Sequence, residues 1–79
     1  WAPVHFLVIP KQHIATMYDT GTEHAPMLGR MMALAPKLAR ELGVEKGFRV
    51  VVNTGPDGGQ EVQHLHMHVM GGPRPWLKG

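Results

Sequence analysis

With 79 residues, 43% of them hydrophobic, the chain has room for one domain. Without cysteine it has neither a disulfide framework nor a thiolate metal site. A net charge of +2, from basic residues dispersed among acidic ones, excludes the basic stripe that tracks a nucleic-acid polymer.

The apolar runs stop far short of the ~20 residues that a membrane helix needs, and no secretory signal is visible. The chain therefore reads as soluble, with no membrane partner, and its lack of cysteine suits a cytoplasmic protein. Trp1 stands where methionine is usual, inside an apolar run. A single domain over residues 1–79, lacking its N-terminal segment, is expected.

Val4 to Ile9 is β-branched and aromatic and is stopped by Pro10, the pattern of a buried strand. His5 falls on its Leu7 and Ile9 face. A lone histidine there is more often a hydrogen-bonded core residue than a catalyst. Lys11-Gln12-His13 then leads out through a polar turn. Thr20 followed by Glu23 fits a capping box, and Pro26 suits a first helical turn. From there Met27, Met31, Leu34, Leu38 and Leu42 recur at steps of four or three, with Leu28 and Ala35 widening the stripe. This is an amphipathic helix ending at Gly43, with the methionines as core filler. Pro36 cannot donate to the carbonyl of Met32, so a kink or break is expected there.

Phe48 to Asn53 reads as a second strand, and Thr54-Gly55-Pro56-Asp57-Gly58-Gly59 as a turn. Glu61 to Met70 is the third strand. Two strands so closely joined should form an antiparallel hairpin. Glycine-rich backbone can also turn its N–H groups toward an anion, and Asn53, Gly59 and Gln60 flank the third strand as a candidate phosphate cradle.

That strand carries His64, His66 and His68 at every second position, with Leu65, Met67 and Val69 between them. Pleating sends three imidazoles to one face and three apolar side chains to the other. Three readings fit the row. It can be a solvated polar face that happens to be histidine-rich. It can be a zinc site, since imidazole is the commonest zinc ligand. Or one histidine can attack an electrophile while its neighbours orient it and bind the charge.

His64-Leu65-His66-Met67-His68-Val69-Met70 resembles the His-φ-His-φ-His-φ-φ signature of the histidine triad (HIT) superfamily, with φ apolar. Gly71-Gly72 after it resembles the Hint branch, the purine nucleoside phosphoramidases. Pro3-Val4-His5-Phe6-Leu7-Val8-Ile9-Pro10-Lys11-Gln12-His13-Ile14, the strand ending in Asn53 and the Gly58-Gly59-Gln60 loop resemble further segments in the same order. The likeness spans nearly the whole chain.

The resemblance implies an α+β fold with a five-stranded antiparallel sheet, of which three strands are present here, and one long helix. It implies a homodimer that takes purine nucleotides as substrate or product, with no cofactor and no metal. His66 resembles the nucleophile that becomes a nucleotidyl-histidine. His68 resembles the residue that holds the phosphate oxygens or the leaving group. His64 looks like the orienting member, and His5 resembles an upstream histidine of the same network. Asn53 and the backbone of Gly59, Gln60 and Glu61 resemble phosphate contacts; Glu61 stands where some members carry a hydroxyl. Trp76 reads either as a tail or packing aromatic, or, by resemblance, as a contact to the partner subunit's site. The function implied is cleavage of nucleoside 5′-phosphoramidates or related adenylyl adducts; the alternative is a purine-nucleotide-binding interaction module with little catalysis.

Overall fold

The computed structural model describes residues 2–76; Trp1 and residues 77–79, the ends of the expected domain, lie outside them. Three strands and one long helix follow in the order β1 (Val4–Val8), α1 (Ala25–Glu41), β2 (Phe48–Val51) and β3 (Met67–Gly71). The sheet order is β1-β3-β2, with both pairings antiparallel. His68 lies opposite Leu7 on one side and Val51 on the other. The expected hairpin between the second and third strands is therefore present, and β1 completes the sheet on the far side of β3.

Each strand is shorter than its apolar run. β1 and β2 end at Val8 and Val51, so β3 has ladder partners only from Met67 onward. Glu61 to His66, expected within the third strand, precede the ladder. Extended backbone nevertheless keeps its period of two there. Leu65, Met67 and Val69 are buried, while His64, His66 and His68 between them are half-buried.

The helix covers the apolar face of the sheet. Met31 and Ala35 pack with Val8, Met67 and Val69, and Phe6, Met27, Leu28 and Val50 close the margins. The buried stripe is narrower and rotated relative to the leucine repeat: Ala39 is buried, whereas Leu34 and Leu42 are exposed. Alanine at 35 and 39 lets helix and sheet approach closely, and this contact sets the helix's rotation.

Pro36 neither breaks nor ends the helix, which runs unbroken from Ala25 to Glu41. The proline removes one hydrogen bond, from an exposed turn whose Met32 carbonyl belongs to an exposed residue. The helix start also differs from expectation. Thr20 donates its hydroxyl to Met17 O at 2.7 Å instead of capping α1. The capping box forms four residues earlier, on the 3-10 turn Met17–Asp19: Thr16 accepts from Tyr18 N, and Asp19 accepts from Thr16 N. At the other end Gly43 is left-handed with φ 82°. Its N–H reaches Arg40 O and that of Val44 reaches Ala39 O, a Schellman motif that buries Val44. Among the described residues no helix is long and apolar enough to cross a membrane.

Candidate active site

Elements far apart in sequence hold the histidine row. His68 is the member on β3 itself. His5 pairs with Met70 across the β1–β3 ladder, which makes it a diagonal neighbour of His68 on the same face. His5 Nε2 and His68 Nδ1 share one hydrogen at 2.9 Å. His66 sits edge-on to His68, with ring centroids 4.9 Å apart and planes at 70°. The lone strand histidine of β1 thus joins the row rather than the core.

His66 is oriented by backbone. Its Nδ1 lies 2.7 Å from the carbonyl oxygen of His64. A carbonyl only accepts, so Nδ1 carries the hydrogen and Nε2 of the neutral ring keeps the free lone pair. His64 therefore acts on His66 through its main chain. Its own imidazole donates from Nε2 to Pro10 O at 3.2 Å and meets the His13 ring edge-on at 4.9 Å. Sequence reasoning gave His13 no role. The one cue was its place in the turn opened by Pro10, whose carbonyl His64 also uses.

Electrostatics favour a neutral His68 ring. Burial pushes the His68 pKa below its ordinary value, and nearby His66 and His5 push it down further. A second proton on His68 would put positive charge beside two other imidazoles. Neutral His68 can present a hydrogen to an anion or leaving group through the nitrogen that does not face His5. Among the described residues no three of His, Cys, Asp and Glu are grouped so as to hold one metal ion.

The glycine turn joins β2 to the segment that carries the row. Asn53 follows the end of β2 by two residues, at the end of the ladder where Val51 faces His68. Asn53 is half-buried, and its side chain makes no hydrogen bond among the described residues. The expected N–H donors at Gly59 and Gln60 are engaged within the turn, to Pro56 O at 3.1 Å and Gly55 O at 3.0 Å. The next N–H, that of Glu61, has no partner among the described residues, and the Glu61 side chain is exposed.

The structure brings His5, His64, His66 and His68 together; Asn53 follows β2, and Gln60 ties the turn that carries Gly59, Gln60 and Glu61 to the Ala15 carbonyl. Trp76 stands apart, at the far end of β3. Its indole donates to Gly72 O at 3.0 Å, and the guanidinium groups of Arg49 and Arg74 lie 5.4 and 4.6 Å from its ring centre.

Comparison with known proteins agrees with this fold. The family model described as HIT domain matches residues 1–74. Protein HitA of Neisseria gonorrhoeae is 49% identical over 72 residues, covering 91% of this chain and 67% of the relative. The purine nucleoside phosphoramidase of Escherichia coli is also 49% identical over 72 residues, covering 90% of this chain and 60% of the relative. The chain thus spans about three-fifths to two-thirds of the length of these relatives. A HIT family hydrolase from Legionella pneumophila superposes with a TM-score of 0.89 at 44% identity, over 99% of this chain and 71% of that one. A histidine triad protein from Clostridium difficile gives 0.87 at 38% identity, over 99% and 69%.

Proposed function

Because the chain belongs to the HIT domain family, we propose that it is a nucleotide hydrolase that cleaves nucleoside 5′-phosphoramidates or related adenylyl adducts through a nucleotidyl-histidine. The observation that carries this reading is the 2.7 Å contact of His66 Nδ1 with the His64 carbonyl oxygen, which assigns the hydrogen to Nδ1. A row of solvated histidines has no need of one ring with its Nδ1–H tied down and its Nε2 lone pair free. In the proposed step that lone pair forms a bond to the α-phosphorus. The bond from phosphorus to the leaving amine breaks, and the amine takes a proton from His68. Water then attacks the same phosphorus and returns a proton to His68, the bond to His66 Nε2 breaks, and the nucleoside monophosphate leaves. An imidazole can act in this way near neutral pH, where most of it is uncharged. Asn53 and the Glu61 N–H are the donors we assign to the phosphate oxygens.

The close relatedness to a purine nucleoside phosphoramidase supports the substrate class. A homodimer in which Trp76 reaches the partner's site belongs to the same proposal and rests on family resemblance. The decisive experiment is intact mass after brief mixing with adenosine 5′-phosphoramidate in the presence of chelator. A transient gain of one adenylyl group, absent in His66→Ala, is the expected result. Tight binding of adenosine 5′-monophosphate with neither adduct nor turnover would overturn it in favour of a nucleotide-binding module.

A further inference from the structure

Gln60 is the buried polar residue of the described chain, 7% exposed, and its side chain is fully committed. The amide oxygen accepts from Gly55 N at 3.0 Å. The amide nitrogen donates to Ala15 O at 2.7 Å and to Val62 O at 2.9 Å. One side chain thus joins the start of the glycine turn, the chain just beyond it, and a connection 45 residues upstream.

The upstream connection holds the histidine row as well. Ile14 O accepts from Leu65 N at 2.6 Å, and Pro10 O accepts from His64 Nε2 at 3.2 Å. Carbonyls of residues 10, 14 and 15 therefore receive donors from residues 64, 65 and 60. The turn and the histidines hang from the same short rail. We infer that Gln60 is a positioning residue: its side chain fixes the glycine turn against the histidine row, so that the turn's remaining backbone donor and His66 address one phosphate. It does not itself touch that phosphate, because both of its N–H donors are spent. This inference rests on the proposed function for the identity of the anion, while the clamp stands on geometry alone.

The clamp makes a distinctive prediction for Gln60→Glu. A carboxylate keeps the acceptor for Gly55 N but sets an oxygen against the carbonyls of Ala15 and Val62. The turn should loosen while the bond between His66 and the His64 carbonyl stays intact. The experiment compares wild type, Gln60→Glu and Gln60→Met for KM and kcat with adenosine 5′-phosphoramidate. Inorganic phosphate and adenosine 5′-monophosphate affinities are read by NMR in the His66→Asn background. Expected is an anion affinity weaker by about tenfold and a matching rise in KM, with kcat little changed. Relative to wild type, the Gln60→Glu defect should shrink on acidification, as the introduced carboxyl regains a hydrogen to donate; Gln60→Met should show no such recovery.

Unchanged anion affinity in a folded Gln60→Glu variant would overturn the inference. So would a loss confined to kcat, or a drop in thermal midpoint with anion affinity intact. If wild type itself turns nothing over, the proposed function fails, and the anion-binding arm still decides the clamp.

Discussion

The Nδ1–H of His66 is tied to the carbonyl oxygen of His64, a side chain held by main chain two residues away. The restraint survives replacement of the His64 ring, because every residue supplies the same carbonyl. His64→Ala should therefore leave the His66 tautomer unchanged, as read from nitrogen chemical shifts in long-range correlation NMR. Turnover should fall by roughly a hundredfold or less through looser packing. His66→Asn should cost roughly four orders of magnitude or more. A tautomer change in His64→Ala would show that the ring, not the backbone, does the orienting.

His68 sets a pH limit. Its folded-state pKa is depressed, by burial first and by His66 and His5 after it. The unfolded chain therefore binds the proton more readily than the folded one below about pH 6.5. The contribution to stability is complete above that value and is lost as pH falls through the folded pKa. Thermal unfolding followed from pH 7.5 to 5 should show a falling midpoint, with a shallower fall in His68→Gln. A slope that is the same in both proteins would assign the effect elsewhere.

Leu65 is 1% exposed and lies between His64, whose carbonyl orients the His66 ring, and His66 itself. Leu65→Ala leaves a cavity beneath them and should cost about 2–5 kcal/mol in urea denaturation. Turnover should fall even where the variant is folded, since the contact of Leu65 N with Ile14 O no longer has a side chain anchored beneath it. A stable variant with full turnover would mean that the segment before β3 is held by its hydrogen bonds alone.

Gly71 closes β3 where the helix's last turn arrives. A Cβ there would stand 2.5 Å from Val44 Cγ1, and Val44 is fixed by the Schellman motif. Gly71→Ala should destabilise by about 1–3 kcal/mol. Adding Val44→Ala should recover part of that loss, and the non-additivity measures the contact. Strict additivity in the double variant would remove the clash as the cause.

The period-two alternation from His64 to Met70 and the end of the helix at Gly43 were legible because each depends on neighbouring residues. Pleating acts on any extended backbone, paired or not. The Schellman motif needs one left-handed residue, and Gly43 supplies it. Where the ladder begins was not legible, since Val8 and Val51 decide it from other segments. The leucine repeat misjudged the buried face because Leu34 and Leu42 lost to the closer approach allowed by Ala35 and Ala39. In the site, the histidines declared themselves by type and spacing. The role of His13 against His64, and that of the Gln60 side chain, arise between distant segments and left no local pattern.

The sheet order puts the third strand in the middle, so β1 and β2 share no ladder of their own. During synthesis the ladders that join them form only once β3 has emerged and slotted between them. The helix can coil early, but its apolar face has no complete surface to cover until then. Long-range pairing of this kind makes closure a late and comparatively slow event. The segment that joins β1 to β2 is also the one that brings His66 and His68, so a nascent chain acquires this part of its architecture and its reactive groups in the same step.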